Sequence, residues 1–313
     1  SSTKSICTGC SRGCNIDVWV RSNQILRLTP RFNKDVNSYW MCDHGRIDTF
    51  KFVNQDNRVN GPHILKDGIL TKVGWDEAFA KVVSELRTYN KDEIAVIGSS
   101  FTTLEDDYLL SQFIKSILKI KNVDSPSHII PGSGDNILIR EDKSPNSFGT
   151  EISGLNAEND SLNINGIMKG IDEGRIKVLY VVEEDLVDLN PEYENIIAKL
   201  DFLFVNATNF NKTTAFANVV FPASTYAEKN GTWINFQGRL QRIRPAVTTV
   251  DLDRSLDGLA QSRLDKFGTI YDKWGNVKKI DARPTWKILT GLANAFGVKW
   301  KYKMAEDIFE EMT

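Results

Sequence analysis

Arg175-Ile176-Lys177-Val178-Leu179-Tyr180-Val181-Val182 sets the class of the fold. From Val178 onward the run has no polar face, which suits a strand of a parallel sheet covered on both sides. Gly166 to Glu173, just ahead of it, reads as a helix. Upstream, Glu93-Ile94-Ala95-Val96-Ile97-Gly98 holds a second apolar run, and a helix is expected from about Leu104 to Ile120. Downstream, Asn190 to Leu200 reads as a helix, Phe202-Leu203-Phe204-Val205 as a strand and Val219-Val220-Phe221 as a shorter one. Strands alternating with helices imply an α/β region with a parallel sheet and right-handed crossovers. Residues 122–162 are rich in Ser, Asn, Asp, Gly and Pro and read as a long loop region with short elements. A helix opens at Gly74-Trp75-Asp76-Glu77, where early acids suit the helix dipole, and runs to about Tyr89. Thr285 to Phe296 is an amphipathic helix.

The first 60 residues follow a different pattern. Asn15 to Val20 alternates polar and apolar, Ser22-Asn23 reads as a turn, and Gln24 to Leu28 returns as the partner strand of a hairpin. The 313 residues therefore divide into a small β-rich module, 1–60, and an α/β region, 61–313, within the usual length for two domains. The net charge of −2 gives no footprint for nucleic acid and no basic face for a membrane surface. No apolar run approaches the ~20 residues that span a bilayer. The chain starts Ser1-Ser2 without Met and is read as a fragment or a processed product.

All four cysteines lie at one end: Cys7, Cys10, Cys14 and Cys42. Disulfides of a secreted scaffold would be spread through the fold. Thiolates gathered at one end read instead as one tetradentate site in a reducing compartment such as the cytoplasm. Three ligands from one tight loop and a fourth from a later segment suit a [4Fe–4S] cluster, which needs a thiolate for each iron. The competing reading is four-thiolate zinc in a non-redox scaffold, but zinc usually takes two C-x2-C pairs, and the second pair is missing. Gly9 and Gly13 leave backbone N–H groups free to approach the cluster sulfurs. Trp19 and Trp40 are expected to shield the cluster from water.

Several stretches carry a resemblance in chain order. They are Cys7-x2-Cys10-x3-Cys14-Asn15-Ile16, Pro30-Arg31-Phe32-Asn33, Val36-Asn37, and Trp40-Met41-Cys42-Asp43-His44-Gly45-Arg46. Gly134-Asp135-Asn136, Leu138-Ile139-Arg140 and Asp142-Lys143-Ser144-Pro145-Asn146 add to it. So do Val219 to Thr232 and Asn235-Phe236-Gln237-Gly238-Arg239-Leu240-Gln241. Together they resemble the large iron–sulfur subunit of bacterial respiratory NADH:quinone oxidoreductase, complex I, without its N-terminal ferredoxin-like domain. The late stretch is shared with molybdopterin oxidoreductases at large.

The resemblance implies a [4Fe–4S] module followed by a molybdopterin-oxidoreductase-like α/β region. It implies an electron-transfer or structural role in the peripheral arm and other peripheral-arm subunits of complex I as partners. It also implies a peripheral place on the cytoplasmic face of the bacterial inner membrane, with no direct membrane insertion. The alternative is a catalytic molybdopterin-dependent oxidoreductase of the formate dehydrogenase kind. Catalytic relatives usually carry Lys two residues after the fourth cysteine, where His44 stands here, and no Cys follows Cys42 to ligate a metal. Molybdopterin is therefore not an expected cofactor, and no catalytic residue is assigned to this chain.

Other polar residues receive plainer readings. His44 is read as a surface histidine, and His63 and His128 as side chains without partners. Gly98-Ser99-Ser100 is read as a simple turn without the G-x-G-x-x-G pattern. Glu183-Glu184-Asp185 is read as a solvated loop rather than an acid–base pair. Glu228 and Arg239 are expected to hold loops together.

Overall fold

The computed structural model describes residues 1–252 and 277–313. At the N-terminus β1 (Ser2–Ile6), β2 (Asn15–Arg21) and β3 (Gln24–Pro30) form an antiparallel sheet in that order. The β2–β3 turn is Ser22-Asn23, both with positive φ (50° and 61°), the backbone that follows the strands' right-handed twist. A short helix, α1 (Asp43–Ile47), starts directly after Cys42.

The α/β region opens with a hairpin that sequence reasoning did not find, β4 (His63–Lys66) and β5 (Ile69–Lys72), then α2 (Trp75–Leu86). There follow β6 (Ile94–Ile97), α3 (Leu104–Gln112), β7 (Asn122–Asp124), α4 (Ser147–Ile152) and α5 (Ile164–Asp172). Next come β8 (Val178–Val182), α6 (Leu186–Leu189), α7 (Tyr193–Ile197), β9 (Phe202–Ala207) and β10 (Val219–Pro222). A hairpin, β11 (Gly231–Ile234) and β12 (Leu240–Ile243), precedes the last helices, α8 (Thr285–Ala295) and α9 (Ala305–Met312).

The large sheet has the order β5-β4-β10-β9-β8-β6-β7. β10, β9, β8, β6 and β7 run parallel, and the β4–β5 hairpin closes one edge antiparallel. Alternation along each parallel strand feeds two cores. Val96, Tyr180, Phe204 and Phe221 face one side, against α2, α3, α8 and α9. Ile97, Leu179, Val205 and Val220 face the other, against α5, α6 and α7. Tyr180 and Phe204 are register partners, and their rings stack at 4.3 Å.

Two expected helices are altered. The one from Leu104 ends as an α-helix at Gln112, and Phe113–Leu118 winds on as a π-helix to Lys119, whose φ is 55°. The one from Asn190 to Leu200 is shortened to α7, while α6 ends ahead of it at Leu189, because Pro191 disfavours helical backbone at Asn190. Among the described residues no helix is long and apolar enough to cross a membrane.

The core around the cysteines is not built from the first 60 residues alone. Ile16, Val18, Ile25 and Leu28 pack with Tyr226, Ala227, Trp233, Ile243, Ala246 and Val247. The late hairpin thus completes the apolar wall of the early sheet.

Candidate metal centre and the sheet edge beside it

Cys7 ends β1's reach and Cys14 precedes β2, so the β1–β2 pairing holds both ends of the cysteine loop. The loop is closed by Cys7 N–H donating to the Cys14 carbonyl at 2.9 Å and Gly13 N–H to the Cys10 carbonyl at 3.4 Å. Gly13 sits at φ 67°, and a Cβ there would collide with Gln241, whose Nε2 donates to the Gly13 carbonyl at 2.8 Å. Gly13→Ala should therefore destabilise the loop by about 1–3 kcal/mol, the usual cost of a strained backbone position. Urea unfolding checks this, and an unchanged midpoint would show that the loop relaxes freely.

Cys42 arrives as the N-cap of α1, its Sγ accepting from Gly45 N–H at 3.3 Å. The Cβ position of Gly45 lies 3.0 Å from Cys7 Sγ and 3.3 Å from Cys42 Sγ, so the two sulfurs flank the same point. Cys7, Cys10 and Cys14 are buried, all four thiols are free, and their charges act on one another. Among the described residues no three His, Cys, Asp or Glu gather tightly around a single-ion position. The thiols neighbour one another without converging on a single-ion position, and a polynuclear cluster is the group whose thiolates stand further apart. Burial pushes the Cys7 thiol up to about 12, against the pull of Gly9 N–H, and burial also raises Cys14. Neutral thiols of this kind are deprotonated by the metal itself. The donor set, all sulfur with N–H groups at 3.3–3.4 Å from two of the four, fits an iron–sulfur cluster.

The stretches that carry the resemblance meet here. Ser11 N–H donates to the Asp142 carbonyl at 2.9 Å, and Phe236 N–H to the Ser11 carbonyl at 3.0 Å. Arg140 stacks over the Phe236 ring at 4.1 Å, with Arg12 on the same ring at 5.6 Å. The expected tryptophan shield is corrected. Trp40 is 70% exposed, and Trp19 lies on the outer face, under Arg27 and donating to Thr29. The apolar cover comes from Phe50, Phe52, Tyr226 and Trp233, because the inner face of the early sheet is met by the late hairpin. His44 is exposed, as expected, and pairs with Asp48 at 3.3 Å.

A cavity of about 460 Å³ separates the cysteine loop from the carboxyl ends of the parallel strands. Ligands of α/β sheets bind at such an edge. Thr8, Gly9 and Tyr226 line one side, and Glu183, Glu184 and Asp185 the other. These acids are not a solvated loop. Glu183 is paired with buried Lys229 at 3.2 Å and accepts from Thr285 at 2.7 Å. Glu184 is 8% exposed and accepts from Ser99 at 3.1 Å. Asp185 caps α6 and accepts from Thr213 at 2.7 Å.

His128 does have a partner: its Nε2 stands 3.1 Å from Glu184 Oε2. Burial pulls the imidazole down, but the hydrogen bond and charge of Glu184 outweigh it, and its value ends raised. A raised histidine contributes stability that is complete below the unfolded value of ~6.5 and fades as pH climbs through the folded value. The stability gap between the chain and His128→Gln should accordingly be widest below pH ~6.5 and shrink above it. Urea midpoints across pH measure it, and a gap that grows with pH would contradict the pairing.

Lys229, which sequence reasoning passed over within the Val219 to Thr232 stretch, is 2% exposed and also pairs with Asp106 at 2.9 Å. Asp106 in turn accepts from Thr103 at the start of α3 and from Trp286 N–H at 2.7 Å. Desolvation pulls Lys229 down, yet Asp106 and then Glu183 more than reverse it. Burial pushes Glu183 up against the pull of Lys229. Glu228 makes a two-pronged pair with Arg58 at 3.0 and 2.7 Å, both side chains 3% exposed, which joins the chain after α1 to the late stretch. Arg239 reaches Asp35 at 3.2 Å in the open. Both do hold loops together.

Among the described residues, the groups at this edge that could hold the phosphate of a molybdopterin nucleotide are largely engaged. Such a cofactor brings phosphate, and phosphate needs free N–H groups at helix N-termini or free cations. Ahead of α3 the Thr103 N–H donates to the Asp106 carboxylate and Asp106 N–H to Thr103 Oγ1, at α5 Ile164 N–H donates to Asp124 at 2.7 Å, and at α6 Asp188 N–H donates to Asp185. Lys143 is the only Lys or Arg among the described residues lining the cavity, and its Nζ is bound to the Ser133 and Arg140 carbonyls.

Comparison with known proteins adds two family-model matches. Residues 1–50 match the family model "Molybdopterin oxidoreductase Fe4S4 domain" and residues 149–255 the model "Molybdopterin oxidoreductase". A Bacillus subtilis protein named as a formate dehydrogenase, YrhE, is 31% identical over 142 residues, 44% of this chain and 14% of that protein. The F420-dependent formate dehydrogenase 1 subunit alpha of Methanococcus maripaludis is 32% identical over 119 residues, 38% of this chain and 18% of that one. The matched stretches thus span less than a fifth of either relative. In fold the chain is similar to acetylene hydratase from Pelobacter acetylenicus, at a TM-score of 0.53 and 8% identity, over 97% of this chain and 71% of that one. With a mixed α/β body on a largely parallel sheet and a match to the Fe4S4 domain ahead of it, the chain is similar to molybdopterin oxidoreductases over these two stretches and in fold.

Proposed function

We propose that Cys7, Cys10, Cys14 and Cys42 hold one [4Fe–4S] cluster and that the chain serves as an iron–sulfur subunit of an NADH:quinone oxidoreductase, without pterin chemistry of its own. The observation that carries this is the pairing of a four-thiol site with a strand edge whose anion positions are filled by Asp106, Asp124 and Asp185. A bound cluster takes up and releases single electrons. The chain's own residues exclude water from it with Phe52, Tyr226 and Trp233 and direct Gly9 and Gly45 N–H at two of the thiols. The role is electron transfer or structural support in the peripheral arm, on the cytoplasmic face of the membrane, beside other peripheral-arm subunits. The residue run through Cys42-Asp43-His44-Gly45-Arg46 supports that assignment.

A second reading, a molybdopterin-dependent oxidoreductase of the formate dehydrogenase kind, is favoured by the names of the relatives above. Elemental analysis of anaerobically purified chain separates the two. Iron and acid-labile sulfide in equal amounts without molybdenum, tungsten or extractable pterin supports the first reading. Molybdenum with an organic pterin would replace it with the second, and zinc alone would sink both.

A further inference from the structure

Tyr226 is 4% exposed, and its Oη is buried without a hydrogen-bond partner. An unsatisfied buried hydroxyl costs about 1–3 kcal/mol, so the group calls for an acceptor. Its surroundings name one. The ring packs in the same apolar cluster as Cys7, and charge on Cys7 acts on the phenol. Phe52 and Trp233 flank it, each with ring centroids at 6.3 Å, and neither offers an acceptor on that side. Neighbouring hydroxyls are already committed: Thr49 Oγ1 donates to the Gly45 carbonyl at 2.6 Å, and Thr225 Oγ1 to Glu228 at 3.0 Å. Gly9 N–H already reaches Cys7 Sγ.

We propose that Tyr226 donates its O–H to sulfur at the Cys7 corner of the bound iron–sulfur cluster and thereby raises the cluster's reduction potential. The inference rests on the cluster reading above. A donor aimed at cluster sulfur stabilises the more negative, reduced form more than the oxidised one, so it moves the potential upward. Tyr226 acts on the electron's energy and positions nothing that reacts. Its geometry also accounts for a tyrosine in a wall otherwise made of Phe and Trp.

The test is a redox titration followed by EPR on the cluster-loaded full chain. Tyr226→Phe keeps the ring and removes the donor, and the midpoint should shift to lower potential at unchanged iron content. A fluorotyrosine placed at position 226 is a stronger donor and should shift the midpoint the other way. A packing role alone would not give opposite signs. Should Tyr226→Phe fail to retain the cluster, the fluorotyrosine arm decides by itself. A cluster whose potential ignores the substitutions overturns the tyrosine assignment alone. Absence of any cluster signal in the unmodified chain overturns the reading beneath it as well.

Discussion

Cys7→Ala should abolish the iron–sulfur cluster outright, with visible absorption and the EPR signal of the reduced chain falling to background. Cys7 is 5% exposed and shares its immediate space with Cys42 on either side of Gly45. No other Cys exists in the chain to take its place. His44 and Thr49 lie near, but His44 faces solvent and Thr49 is bound to Gly45. A cubane that loses one of its thiolate corners is opened to water on the side that Tyr226 and Phe52 otherwise seal. Cys42→Ser should be milder, since Cys42 is the more exposed ligand and a serine oxygen can still reach the iron. A changed EPR line shape with partial iron retention is expected there. If Cys7→Ala keeps the wild-type signal, Cys7 is not a ligand.

Lys229→Met should cost about 3–5 kcal/mol of folding stability, the range for breaking a buried ion pair by removing one partner. Lys229 is 1% exposed in its side chain, and Asp106 and Glu183 are 0% and 7% exposed. Without the ammonium two carboxylates remain in a low-dielectric interior. Asp106 is further tied to α3 and α8, and Glu183 to Thr285, so the strain spreads to these two helices. Adding Asp106→Asn and Glu183→Gln to Lys229→Met should recover much of the loss, because the neutral set needs no cation. Urea unfolding of the three chains measures this. A cost below about 1 kcal/mol for the single change would mean that water reaches the site.

The parallel body was legible because its strands are continuous apolar runs, and Val178–Val182 and Phe202–Ala207 fall where the runs lie. The Ser22-Asn23 turn was legible because short polar residues tolerate positive φ. The β4–β5 hairpin was not, since an edge pair such as Ile69-Leu70-Thr71-Lys72 is largely exposed and carries no core pattern. The cysteine site was readable as a ligand set from spacing alone, and in the structure the thiols of Cys7, Cys10, Cys14 and Cys42 lie near enough for their charges to act on one another. Its wall was not readable. Tyr226 and Trp233 come from more than 180 residues away, and no local period announces that they face Cys7. The Lys229–Asp106–Glu183 network was hidden for the same reason, its members separated by 123 and 46 positions. Glu183-Glu184-Asp185 shows the limit most clearly: three adjacent acids look solvated until their partners arrive from other segments.

Whether four thiolates enclose one cubane is tested most directly by Mössbauer spectroscopy of the chain loaded anaerobically with iron-57. The expected spectrum is that of a single [4Fe–4S] species with delocalised valence. A spectrum of mononuclear iron in a four-thiolate site, or a chain that takes up zinc and excludes iron, would contradict it.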